Sequence, residues 1–173
     1  MMRLYGYGLK GLRVHDKHRG KSPLYTLVAC VGLTLGLHAM WLQRGWMTAD
    51  DFVQWVINEL APTLRRGDVV VLDNCRIHKD PRVEAAIQAR GARVLPLPPY
   101  TPEYNPIEEC WSKMKAILRE LRPQTPDDLA HAISEGAAAI THRDILAYFR
   151  HAGVDVEWYE RRLPSRSKCR SRP

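Results

Sequence analysis

Residues Val69 to Asp73 form a continuous apolar run that ends in an acid, and a second short apolar run follows at Arg93 to Leu97. Such a run, rich in Val and Leu and too short for a helix, is what a central strand buried on both faces looks like. Pro81 to Ala89 lies between the two runs with helix-forming composition and leads through Gly91 into the second. Strand, helix and strand in that order make a β-α-β unit, whose strands run parallel with a right-handed crossover. The chain therefore reads as α/β.

The flanking segments extend this reading. Residues 24 to 32 and 35 to 42 are rich in Val, Leu, Thr and Ala and meet near Gly32 to Gly36, which predicts an antiparallel hairpin. Thr48 is a good N-cap for a helix with Asp50 and Asp51 in its first turn, and Phe52, Val53, Val56, Ile57 and Leu60 fall on one face. Further helices are expected at 106 to 121, 126 to 140 and 142 to 152. In this last part Leu129, Ala132, Ile133, Ile140, Ile145, Leu146 and Phe149 read as packing residues. No internal repeat is present. A catalytic-type domain over 1–155 and a basic, disordered tail over 156–173 are the expected organisation.

The chain of 173 residues carries a net charge of +7, but the charge is concentrated at its ends. Residues 161 to 173 contribute +6 and residues 1 to 21 contribute +5, leaving about −4 for the middle. Basic ends around a mildly acidic body suit an anionic polymer, whose phosphates release counterions on binding. A hydrophobic content of 45% with 26% charged residues excludes a wholly disordered or fibrous chain. The cysteines Cys30, Cys75, Cys110 and Cys169 show no C-x-x-C and no arrangement beside His that reads as a zinc site, so a reducing cytoplasm is expected. Cys75 and Cys110 read as small unreactive fillers. The most apolar stretch, Leu24 to Leu42, is interrupted by Thr26, Gly32, Thr34, Gly36 and His38 and falls short of a membrane span. The first residues are Arg, Tyr and Gly rather than an apolar core, so no signal peptide is expected.

Two elements carry candidate chemistry. Asp73 stands at the carboxyl end of the apolar run, where open α/β sheets place functional groups, although Asp-Asn is also a common turn. The second element runs from Pro98 to Glu109, with four prolines stiffening the approach to a helix. Asn105 fits the N-cap and Pro106 the first helical position, which puts Glu108 third, where it either supports the helix start as a capping-box acid or serves another purpose. Ile107, Cys110, Trp111, Met114, Ile117, Leu118 and Leu121 share one face, with Trp111 in the core. Glu108 lies at the border of that face and Glu109 points away into solvent. An acid so placed, at a helix N-terminus that favours negative charge, suits a hard cation.

Asp73 and Glu108 are separated by 34 residues, and the strings VVVLDNCRIHK and LPPYTPEYNPIEECWSKMK closely resemble the catalytic core of DDE transposases of the mariner and "six-thirty" insertion-sequence superfamily. The likeness is strongest over Val69 to Leu118, weaker back to RLYGYGLKGLRV at residues 3 to 14, and thin after about residue 125. It implies an RNase H-like, retroviral-integrase-like mixed sheet flanked by helices. It further implies Asp73 and Glu108 as catalytic and metal-holding carboxylates, with two Mg²⁺ or Mn²⁺ ions in the complete site. The activity implied is cleavage of DNA strands and their transfer to target DNA, usually at a TA dinucleotide. Arg76, His78, Lys79 and Lys115 are candidate DNA contacts. His78 reads equally as a structural histidine, and Lys115, on the same side of the helix as Glu108, as a solvated lysine.

In that family the first carboxylate lies on the first, central strand, about ten residues before the segment resembling RLYGYGLKG. No equivalent precedes that segment here, and Asp16 follows a glycine-basic stretch instead of ending an apolar strand. The expectation is thus a sheet lacking its first strand, with exposed edges and weak ion binding by two carboxylates. The helix-turn-helix modules that read element ends are not found either. Partners expected are DNA, a second copy in a homodimer, and an upstream half of the transposase; no membrane is expected. The rival reading is a catalytically inert DNA-binding or interaction fragment that binds or inhibits the full-length enzyme.

Overall fold

The hairpin forms from Tyr25–Gly32 (β1) and Gly36–Arg44 (β2), paired antiparallel from Tyr25↔Arg44 to Gly32↔Gly36. The structure, a computed structural model, describes residues 23–160. The pairing slips between Val28↔Trp41 and Cys30↔His38, where β2 carries one extra residue and Ala39 adopts φ +50°. This bulge leaves the Ala39 carbonyl outside the ladder, and Trp55 Nε1 donates to it at 2.6 Å.

The helix after Thr48 begins where expected. Ala49–Trp55 (α1) starts in a capping box in which the Thr48 hydroxyl accepts from Asp51 N–H and the Asp51 carboxylate accepts from Thr48 N–H. It continues through a wider π turn, Val56–Leu60, and a 3-10 turn, Ala61–Thr63. Phe52, Val53, Val56 and Leu60 are buried as predicted, but Ile57 is exposed and Trp55 is buried in its place. Ile57 lies about 100° from the centre of the buried face, whereas the Trp55 indole reaches the bulge carbonyl.

Val69–Leu72 (β3), Pro81–Gln88 (α2) and Arg93–Pro96 (β4) form the β-α-β unit, with β3 and β4 parallel from Val69↔Arg93 to Leu72↔Pro96. The expectation of burial on both faces is corrected: Val70 is buried, while Val69 and Leu95 are exposed. Val70, Leu72 and Val94 pack on α1 and α2, and the alternate residues face away from that core. Among the described residues β3 pairs with β4 and β1 with β2, as two separate two-stranded sheets. Arg82 ties this unit to α1 by bridging Asp80 at 2.8 Å and Asp50 at 2.7 Å.

The remaining helices are Pro106–Leu121 (α3), Pro126–Ala138 (α4), His142–His151 (α5) and the short Glu157–Glu160 (α6). Thr125 with Asp128 and Thr141 with Asp144 repeat the Thr48–Asp51 capping box at α4 and α5. Gly136 lets α4 approach α3, since a Cβ there would meet Met114 Cγ at 3.1 Å. Lys113 of α3 pairs with Asp144 of α5 at 2.8 Å.

The hairpin separates two cores. Val28, Cys30, Ala39 and Trp41 pack against the α1, α2 and β3 cluster, while Leu27, Val31, Leu37, Met40 and Leu42 pack against α3, α4 and α5. Val156 is buried just before α6. The rest of the basic tail, the RLYGYGLKGLRV segment, Asp16 and Cys169 lie outside the described residues.

Candidate active site

Asp73 follows the last residue of β3, at the carboxyl end of the parallel pair. Its side chain is 49% exposed, and its Oδ1 accepts from Cys75 N–H at 2.9 Å. The turn geometry that Asp-Asn suggests is therefore present, and it fixes the carboxylate at the strand end instead of competing with a functional role. A 3-10 turn, Arg76–Lys79, then brings His78 back so that its Nδ1 lies 2.6 Å from Asp73 Oδ1. This contact does not meet hydrogen-bond geometry, and His78 Nδ1 is a buried ring nitrogen without a hydrogen-bond partner. The imidazole is held from behind by Phe52, with ring centroids 4.4 Å apart. His78 thus has both a structural contact and a place beside the candidate carboxylate.

Asp73, Asn74, His78 and Lys79 line an open cleft of about 290 Å³ together with Asp80 and Glu84. Arg76 is exposed on the same turn. Glu108 and Lys115 are exposed on α3, seven residues and hence nearly two turns apart on one side of the helix. Neither is among the residues lining the cleft.

The start of α3 differs from the other long helices. Asn105 occupies the N-cap without a side-chain cap hydrogen bond, and Glu108 N–H donates to the Asn105 carbonyl. The capping-box reading of Glu108 is therefore corrected: at α1, α4 and α5 the third-position acid closes a box with a threonine, whereas at α3 the acid does not. Asn105 has a backbone that admits the cap, but its amide is not turned to the helix start. Glu109, expected in solvent, is half-buried and lies 3.7 Å from His151 of α5. Trp111 is partly buried against the α3–α5 core as expected, while Leu121 at the helix end is exposed.

The cysteines divide. Cys110 is fully buried and Cys30 partly buried, and burial pushes both thiols up to about 11. Cys75, expected to be a filler like Cys110, is exposed beside Asp73 instead. Asp73, Cys75 and His78 each offer a ligand atom, all within 4.8 Å of one another. Sequence reasoning missed this grouping, although the Cys-x-x-His spacing in DNCRIH carried the signal.

The family model for DDE superfamily endonucleases matches residues 1–130. The chain belongs to that family. Among solved structures, the DDE superfamily endonuclease fold here is similar to a crystal structure of the Mos1 mariner paired end complex with Mn, with a TM-score of 0.68 and 19% identity. That alignment covers 86% of this chain and 48% of the other. A crystal structure of the Mos1 strand transfer complex gives a TM-score of 0.65 and 21% identity over 88% of this chain and 46% of the other. The chain thus spans about half the length of the structures it matches, and over that span it shares their mixed α/β, RNase H-like fold. A sequence search of curated proteins finds no match. Among the described residues no helix is long and apolar enough to cross a membrane.

Proposed function

We propose that this DDE superfamily endonuclease is part of a transposase that cuts and joins DNA strands, with Asp73 and Glu108 as two of its metal-holding, catalytic carboxylates. The observation that carries this reading is the start of α3, where Glu108 is exposed and takes no part in capping although its position would allow it. Asp73 supports it from the sheet side, as an exposed carboxylate pinned at a strand end by Cys75 N–H. Both offer hard oxygen donors, which fit Mg²⁺ or Mn²⁺. A pair of such ions, when bound, supplies activation of the attacking water and neutralises charge on the leaving oxygen in an in-line displacement at phosphorus.

This chain's own residues position the DNA. Lys79 faces the same cleft as Asp73, and Arg76 stands exposed beside it, so both suit phosphate oxygens at the reacting strand. Lys115 offers a further backbone contact on the Glu108 side of α3. The partner is transposon-end and target DNA, the latter cut at TA, and both Mos1 structures it resembles are named as complexes of transposition. A third carboxylate, on a strand docked between the edges of β1 and β3 that are unpaired among the described residues, would complete the set. A polypeptide corresponding to the upstream half of the enzyme is the proposed source.

The test is nicking of supercoiled plasmid by the full chain, alone and with a polypeptide supplying the upstream half. The expected result is nicking that requires Mg²⁺ or Mn²⁺ and falls about 100-fold or more in Asp73→Ala and in Glu108→Ala. Nicking that persists in either variant, or no metal-dependent nicking in either mixture, would overturn the reading and leave the inert DNA-binding fragment.

A further inference from the structure

We infer that Asp73, Cys75 and His78 form a three-ligand site for a thiophilic divalent ion of the Zn²⁺ type, distinct in chemistry from the hard-cation site of which Asp73 is also proposed to be a member. Carboxylate oxygen, thiolate sulfur and imidazole nitrogen form a borderline-soft donor set that selects Zn²⁺ or Co²⁺ over Mg²⁺. The three ligand atoms already lie within 4.8 Å of one another. In a tetrahedral site with bonds of about 2.0–2.3 Å the ligands sit about 3.3–3.8 Å apart, so binding needs the exposed Cys75 side chain to swing in and Asp73 Oδ1 and His78 Nδ1 to separate from 2.6 Å by small side-chain rotations.

The state of His78 is the second observation. Its Nδ1 is buried, has no hydrogen-bond partner, and is crowded to 2.6 Å from the Asp73 oxygen. The contact brings an imidazole nitrogen and a carboxylate oxygen together at 2.6 Å, where one shared cation can take both as ligands. Phe52 stacks on the ring and fixes the direction in which that nitrogen points. Cys75 N–H on Asp73 Oδ1 holds the carboxylate in the same direction. Cys75 is also the cysteine suited to the role, because it is exposed beside Asp73 while Cys30 is partly and Cys110 fully buried elsewhere. Cys75 binds as the thiolate, and its proton passes to solvent on binding. The fourth position is left to water or an incoming oxygen ligand, as in open zinc sites.

One consequence rests on the function proposed above: because Asp73 serves both sites, Zn²⁺ and the Mg²⁺ or Mn²⁺ of the cutting reaction exclude each other. The binding claim itself needs neither Glu108 nor DNA.

The experiment titrates the full chain with Co²⁺ and follows the thiolate-to-metal charge-transfer absorption. The expected result is an equimolar band that Zn²⁺ displaces at equimolar amounts and Mg²⁺ displaces only in large excess. Cys75→Ser should abolish it, Cys169→Ser and Glu108→Gln should retain it, and His78→Ala should weaken Co²⁺ binding about 10-fold or more. The Glu108→Gln result separates the two proposals, since that variant should lose the proposed cutting while keeping the band. Absence of the band, its persistence in Cys75→Ser, or its loss in Cys169→Ser would overturn the proposal.

Discussion

Single side chains decide several features that patterns do not. Trp55 is the plainest case: its indole donates to the Ala39 carbonyl released by the bulge in β2. Trp55→Phe removes the donor and part of the buried ring volume, so it should destabilise the protein by about 2–4 kcal/mol through the carbonyl left unsatisfied and the space left behind, measured by urea unfolding. The bulge also explains why Trp55 was not assigned to the buried face while Ile57 was, because a register slip in a neighbouring hairpin leaves no mark on helical periodicity. Asp73 was legible as a strand-ending acid, and Glu108 from its place after Asn105 and Pro106. The Asp73–Cys75–His78 grouping left only the Cys-x-x-His spacing as a sequence signal, because bringing the three together depends on a 3-10 turn that folds His78 back over three residues. Glu109 likewise finds its neighbour, His151, through tertiary packing that helical phase alone does not encode.

The elements are held by caps and close approaches that can be tested one at a time. Thr141 and Asp144 close the capping box of α5, and Lys113 reaches Asp144 from α3, which together hold the Asp144 carboxyl down to about 2. Asp51 and Asp128 are lowered in the same way by their threonines. Folded pKa values below the unfolded value of about 3.9 mean stability that is complete above that pH and lost as pH falls through about 2. The stability of the wild type, measured by urea unfolding, should therefore fall as pH is lowered through that window. In Asp144→Asn part of this dependence should disappear, and Thr141→Ala should cost about 1 kcal/mol at neutral pH. Gly136→Val should destabilise by about 1–3 kcal/mol, because the added carbons meet Met114 in a fully packed contact between α3 and α4. At this scale most of the fold was legible: the hairpin, the β-α-β unit and the later helices lie where periodicity and turn residues put them. Burial was less legible, since the Val and Leu run in β3 suggested two covered faces while its alternate residues face away from the core.

For the whole molecule, the charge distribution makes a prediction independent of the site. Six basic residues without an acid lie in 161–173, so deleting them should reduce the slope of log affinity for DNA against log salt by up to about 5. A smaller body so deprived still carries Arg76, Lys79 and Lys115 near the proposed carboxylates. The central claim is that Asp73, on the sheet, and Glu108, on α3, hold the same divalent ions. The most direct test is titration of the full chain with Mn²⁺, followed by electron paramagnetic resonance, for the wild type, Asp73→Asn, Glu108→Gln and the double variant. The account predicts that each single variant weakens Mn²⁺ binding about 10-fold or more and that the double variant is less affected than the sum of the two, as residues sharing one ligand must be. Mn²⁺ binding unchanged in Glu108→Gln, or losses that simply add, would contradict it.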